Sequence, residues 1–341
     1  MLVSKPEAPR SSQPLATPRL RRRYWTLLTT LLALSALFAF GLLAWDNPMP
    51  VGTEGFWIIA RMRATSLVVI LIVAFCQAIA TVSFQTATNN RIITPSIMGF
   101  ESLYRAVQTS SVYFLGVAGI TAIQGVSQFL LQVALMVGFA LLLYGWLLSG
   151  RYGNLQVMLL VGIILGAGLG SVSTFMQRLL TPSEFDVLAA RLFGSISHAD
   201  AAYLPYAIPL TAIAGGALWA NAKNLNLLSL GRDAATSLGI NHRRQTMVTL
   251  FFVSILMAVS TALVGPMTFL GFLVATLAYQ LADTYDHRYI FPMSVATAFI
   301  VLTGSYFVMK HVFYAQGVVS IIIELVGGGV FLLVLLRKGR L

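Results

Sequence analysis

Cysteine is nearly absent from this 341-residue sequence: Cys76 stands alone, so no intrachain disulfide can form. Charge is scarce too, at 10% of residues, and the 22 basic side chains outnumber the 11 acidic ones for a net +11. None of the four lysines follows a Gly-x4-Gly, which excludes ATP binding by a P-loop of this chain. The four histidines (His198, His242, His287 and His311) lie in separate segments, without H-E-x-x-H and without cysteine partners, so metal-ligand spacing is missing. A Gly-x-Ser-x-Gly nucleophile elbow is missing as well. No catalytic constellation emerges, and the chain is expected to bind no cofactor or metal of its own.

What the sequence has in abundance is hydrophobe: 57% of residues, with a mean hydropathy of +0.82. Several windows of roughly twenty residues carry no charge, the length an α-helix needs to cross the hydrocarbon core. The fold class is therefore all-α, a polytopic membrane protein of about ten transmembrane helices. The spans run at about 25–45, 64–86, 96–118, 124–148, 155–176, 203–221, 247–264, 267–282, 290–309 and 317–336, which makes one ten-helix domain over 25–336. Cys76 falls in the second span, where packing is its expected role.

The basic residues orient the chain. With the N-terminus inside, ten spans return the C-terminus to the cytoplasm. Of the 22 basic residues only Arg61, Arg63, Arg178, Arg191 and Lys310 then fall outside, with Arg105 within a span. The positive charge is thus a topology signal, and nucleic-acid binding need not be invoked. Residues 1–24, with Pro6, Pro9, Pro14 and Pro18, read as a disordered basic cytoplasmic segment. Residues 337–341 read as a basic cytoplasmic tail.

Two features inside the spans point to passage of a substrate. Gly162, Gly166 and Gly170 recur every fourth residue on one helical stripe, which serves either as a helix-packing seam or as a smooth wall of a route. Glu101 and Arg105 stand four apart at membrane depth, either a self-pair along the third helix or part of a substrate path. Gln77, Gln85, Gln128 and Gln132 read as interhelical hydrogen bonds. Glu324, in the tenth span, has no evident partner in the sequence.

The most polar interior stretch is "LGRDAATSLGINHRR", residues 230–244. Leu230, Ala234 and Leu238 form one apolar stripe, with Arg232, Asp233, Thr236 and Ser237 on the other side. Gly239 is placed to end the helix in a left-handed cap, and His242-Arg243-Arg244 opens the next span. A short amphipathic cytoplasmic helix of this kind fits either a groove in a partner or the lipid surface.

This stretch resembles the cytoplasmic coupling loop of iron-chelate and cobalamin ABC importer permeases, the FecCD family. Two further segments agree in order: "RMRATSLVVILIVAFCQAIATVSFQTATNNRIITPSIMGFESLY" (Arg61–Tyr104) and "GPMTFLGFLVATLAYQLADTYDHRYIFPMS". Departures are "NNRIITP" in place of the family's "NPLADP", Ala275-Thr276 in place of a Pro-His pair, and Arg232 where an acid is common. With "MGFESLY" they resemble the subgroup serving catecholate-type and mixed siderophores, including petrobactin-like and anguibactin-like ones.

The resemblance implies a type II ABC importer architecture like that of the cobalamin importer permease, in a bacterial cytoplasmic (inner) membrane. It implies a ferric siderophore as substrate, with cobalamin or haem as the alternative within the family. It implies as partners an ATPase dimer that uses the ATP, a second permease (self or paralogue) and an extracytoplasmic siderophore-binding protein. Leu230, Gly231, Arg232, Asp233, Ala234, Leu238, Gly239, Arg243 and Arg244 would then couple to the ATPase. Gly162, Gly166 and Gly170, with Glu101 and Arg105, would line the route. Arg61, Arg63 and Arg191 would either dock the binding protein or serve as interfacial anchors. Asp286, His287 and Arg288 form either a plain capped turn or an ATPase-supporting one. A secondary transporter, with Glu101 and Glu324 as its ion relay, is the reading from another class.

Overall fold

A computed structural model describes residues 13–45, 47–122, 125–149, 155–196, 199–313 and 319–338. Among them regular structure is entirely helical: α1 Pro18–Ala44, α2 Glu54–Ala87, α3 Glu101–Ala122, α4 Val126–Ser149, α5 Leu155–Gln177, α6 Pro182–Leu192, α7 Leu204–Ala220, α8 Ala222–Leu228, α9 Arg232–Ser237, α10 His242–Val264, α11 Leu270–Ala282, α12 His287–His311 and α13 Val319–Lys338. A π-helical turn, Ser96–Phe100, leads into α3. Among the described residues, α1, α2, α4, α5, α7, α10 and α12 supply seven stretches long and apolar enough to cross a membrane. The shorter apolar α11 and α13, and α3 with its embedded charges, complete ten crossings. The chain is a multi-pass membrane protein.

Several boundaries differ from the sequence expectation, each for a local reason. The first helix begins at Pro18, not near residue 25, because Thr17 caps it by accepting from the Leu20 N–H at 3.2 Å. Residues 18–24 are therefore helical; residues 1–12 of the N-terminal segment and 339–341 of the tail lie outside the described residues. The second helix begins at Glu54, ten residues ahead of its apolar run, with Thr53 as its cap. Arg61 and Arg63 are thus helical. The short α6 was not anticipated, although Thr181-Pro182-Ser183-Glu184 spells a capping box: Glu184 accepts from the Thr181 N–H at 2.9 Å.

α2 is the axis of the packing. Its membrane window is 78% buried against 17% for α1, and α10, α12, α7 and α11 surround it. Small residues allow the approach: Gly271 of α11 lies against Thr81, and Gly215 of α7 against Phe75. Within this interior Cys76 is fully buried and meets the Thr211 hydroxyl at 3.4 Å. Gln77 bridges to Ser260 of α10 at 3.1 Å, and Gln108 donates to Gln132 across α3 and α4 at 3.3 Å. Gln85, by contrast, donates to the Arg91 carbonyl of its own following loop at 2.7 Å.

α11 has 13 residues, which at about 1.5 Å each cover only some 20 Å of a core about 30 Å thick. The buried, non-helical Gly265–Met267 segment covers part of the remainder, and Ser195 N–H bonds to the Val264 carbonyl at 2.8 Å beside it. Irregular backbone at this depth is tolerated because protein, not lipid, surrounds it.

The start of α3 is set by the glycine stripe. Gly99 adopts φ 103° and rests on α5, where a Cβ on Gly166 would lie 2.9 Å from the Gly99 Cα. Gly162 meets Met98 in the same way. Both are therefore seam residues, whereas Gly168 and Gly170 face open space. Gly166→Ala should cost about 1–3 kcal/mol, the usual penalty of overpacking a tight contact, while Gly168→Ala leaves the melting temperature of the purified protein unchanged. Equal melting temperatures for both variants would remove the seam.

Candidate functional site

At the inner end, the polar loop forms α9 with a defined cap at each side. Gly231, at φ 90°, turns the chain into it, and the Ala235 N–H closes back on the Gly231 carbonyl at 3.0 Å. At its end Gly239, at φ 87°, donates to the Thr236 carbonyl and Ile240 to that of Ala235, at 3.0 and 3.1 Å. This double bond is a Schellman motif, which only a residue tolerant of positive φ forms readily. Asn241 then caps α10 by accepting from the Arg244 N–H at 3.0 Å. Ala235 is fully buried and seats the helix, while Leu230 and Leu238 are each 58% exposed, with Ala234 exposed between them. Arg232, Asp233, Arg243 and Arg244 are exposed around that stripe. The apolar face finds no partner within the described chain.

Behind α9 lies a buried polar latch. Asp286 caps α12, accepts from the Arg288 guanidinium at 2.7 Å and from the Asn226 amide of α8 at 3.0 Å. The Asn226 carbonyl oxygen accepts from the His287 backbone N–H at 2.9 Å and lies 2.6 Å from His287 Nδ1. An acceptor there requires the proton on Nδ1, and the other ring nitrogen, Nε2, lies 2.7 Å from the Thr86 hydroxyl of α2. The Asp-His-Arg turn is thus a capped turn that also ties α8 to α2 and α12. Asn226 was not anticipated; its signal is the cluster Asn221, Asn224 and Asn226 between two apolar segments.

Burial works against the charge of Asp286, yet Arg288 and Asn226 hold its carboxyl below the ordinary aspartate range. The stability this supplies is fully present above that range and is lost as pH falls through the lowered folded value.

At membrane depth the expected Glu101–Arg105 pair is not made. Glu101 is 6% exposed and accepts instead from the Thr268 hydroxyl, just ahead of α11. Glu101, at the first position of α3 after the π-helical turn, is buried in the packing, while Arg105 one turn on is exposed. Arg105 lines a cleft of about 540 Å³ between α3 and α5, together with Gly170, Ser102, Thr174, Gln177 and Arg178. Glu324 of α13 is half-buried near it, but among the described residues no ion pair within 4 Å forms between Arg105 and either carboxylate.

The three outer arginines separate. Arg63 bonds to the Leu42, Leu43 and Trp45 carbonyls, the last at 2.7 Å, and so closes the C-terminal end of α1. Arg61 is exposed. Arg191 lines an outer cavity of about 550 Å³ with Tyr104, Gln108, Gln132, Asp200 and Tyr203.

A ten-crossing helical bundle with an exposed, rigidly capped cytoplasmic helix and a polar cleft at membrane depth is the architecture of an importer permease. Comparison with known proteins agrees. The model of the FecCD transport family matches residues 26–337, and the chain belongs to that family. It is 55% identical to the petrobactin import system permease protein FatC of Bacillus anthracis, over 97% of this chain and 94% of that one. It is 36% identical to the petrobactin permease YclO of Bacillus subtilis (strain 168), over 87% and 90%. Among solved structures, an inward-facing metal-chelate type ABC transporter superposes with a TM-score of 0.78 at 20% identity, covering 92% of this chain and 99% of that one.

Asn226→Leu should lower unfolding stability by about 1–3 kcal/mol, the cost of leaving buried polar partners unmade. The deficit should shrink when unfolding is followed at pH below the ordinary aspartate range, where the wild type loses the Asp286 charge as well. A deficit independent of pH would show that Asp286 is not held through Asn226.

Proposed function

We propose that this chain is one permease half of an ABC importer in a bacterial cytoplasmic membrane, moving a ferric siderophore of catecholate or mixed type inward. The observation that carries the mechanism is α9: a rigid helix whose Leu230, Ala234 and Leu238 face outward at the inner end, uncovered among the described residues. An apolar stripe ringed by Arg232, Asp233, Arg243 and Arg244 on a short, rigidly capped helix suits the groove of a soluble partner. That partner is an ATPase dimer, which supplies the ATP chemistry this chain has no P-loop to perform. The substrate class rests on the petrobactin permeases that the chain resembles at 55% and 36% identity.

Closure of the ATPases would push α9, and the latch from Asn226 to Asp286, His287 and Thr86 would carry that displacement into α2 and α12. The helices would then exchange an outward-open for an inward-open packing, two states whose balance ATP biases. Bacillus anthracis has two chains named as petrobactin import permeases, which match this one at 55% and 25%. A paralogue is therefore the second half of the route, in preference to a second copy. An extracytoplasmic binding protein delivers the chelate to the outer side, where Arg61 and Arg191 are the available basic contacts; Arg63 is engaged in closing α1.

The test is uptake of radio-iron on petrobactin by cells lacking this chain and complemented with it, with and without ATP depletion. Wild type should restore ATP-dependent uptake. Gly239→Val, which cannot adopt the Schellman cap without strain, should lower uptake roughly tenfold, equivalent to about 1.4 kcal/mol of coupling, while the protein still inserts. Normal uptake with Gly239→Val would sever α9 from the drive, and rescue that ignores ATP would point to a secondary transporter.

A further inference from the structure

The cleft between α3 and α5 carries two guanidiniums, Arg105 and Arg178, and among the described residues neither makes an ion pair or side-chain hydrogen bond. Its other walls are small or neutral: Ser102, Gly170, Thr174 and Gln177 contribute hydroxyl, amide and open backbone, and no carboxylate lines it. The two cations are staggered in depth. Arg105 sits one turn beyond Glu101, at the level where α3 rests on the middle of α5, and Arg178 follows the outer end of α5.

An unpaired cation at membrane depth is expensive, and such residues persist where a cavity and a ligand compensate for them. Packing does not explain Arg105, which is exposed to the cleft, and its nearest acids are otherwise placed. Glu101 is turned inward to Thr268, and Glu324 stands beyond ion-pair reach on α13. An aqueous cleft with positive charge and no negative wall concentrates anions.

Building on the siderophore reading, we propose that Arg105 and Arg178 are the charge-selecting residues of this permease, and that it passes its chelate as an oxygen-rich anion. A ferric ion wrapped in catecholate or carboxylate oxygens carries excess negative charge, which a positive side chain attracts. Arg178 draws the complex to the mouth. Arg105 holds it midway, where the low dielectric strengthens the contact.

The measurement uses the full complex (this chain, its partner permease, the ATPase and the binding protein) in proteoliposomes, with ATP-driven uptake of radio-iron petrobactin as readout. Arg105→Gln should lower the maximal uptake rate by roughly tenfold or more, as for loss of a desolvated charge contact, while binding-protein-stimulated ATP hydrolysis continues. Arg105→Lys should recover most of the rate, since charge and not guanidinium packing is required. Arg178→Gln should chiefly raise the half-saturating concentration, and the difference from wild type should fade in high salt, which screens a charge at the mouth. Uptake by Arg105→Gln equal to wild type, or an Arg105→Lys as defective as Arg105→Gln with ATP hydrolysis intact, overturns the assignment. A wild-type complex that hydrolyses ATP yet moves no ferric petrobactin fails the siderophore reading itself, and the charge selection falls with it.

Discussion

The contact of Gly99 with Gly166 determines most of what this molecule presents at membrane depth. Two backbones can meet that closely only where neither residue has a side chain, and the left-handed φ of Gly99 is what lets the chain turn there. The approach to α3 is spent on this turn, which leads straight into the helix at Glu101. Glu101 is thereby sent into the packing against Thr268 and Arg105 to the cleft. The same economy recurs at α11, whose late start brings Thr268 to Glu101. One short helix, α11, and one close glycine pair thus place polar groups where a continuous apolar helix would have placed none.

At the inner end the governing constraint is satisfaction of buried polar groups. Asp286, His287, Asn226 and Thr86 each depend on the others for a partner, so displacement of α8 cannot leave α2 and α12 unaffected without leaving a buried group unpaired. α9 hangs on α8 by the buried Ala235 and by caps at both ends, and so moves with it. The chain carries a rigid path from an exposed apolar stripe to its most buried helix. That is a requirement for any permease driven by a separate motor.

Much of this was legible in the sequence. Uncharged windows reported the membrane-crossing helices, because membrane solvation acts on each segment independently of its neighbours. The α9 helix and its Gly239 cap were legible for the same reason: a Schellman motif is a local structure. What depends on tertiary placement was not. The glycine stripe reads as one uniform face, yet Gly162 and Gly166 are seam and Gly170 is cleft, a division set by where Met98 and Gly99 land. Glu101 and Arg105 sit at ideal helical spacing, yet Thr268, far off in the sequence, takes up Glu101 and leaves Arg105 to the cleft. Arg63 carries a charge that suits a docking surface, while its position against the end of α1 turns it inward to three carbonyls. Asn226 could not be singled out, since its value lies in partners sixty residues away.

The claim on which the account rests is that α9 seats in an ATPase. Because Cys76, the single cysteine of the sequence, is fully buried, a cysteine introduced at the exposed position Leu238 is a clean reporter. Cross-linking of Leu238→Cys in native membranes that contain the assembled transporter is the direct measurement. The account predicts a covalent product with the ATPase subunit whose yield changes when ATP is trapped. Accessibility of that cysteine to a water-soluble thiol reagent at full rate, with no product to the ATPase in either state, would contradict it.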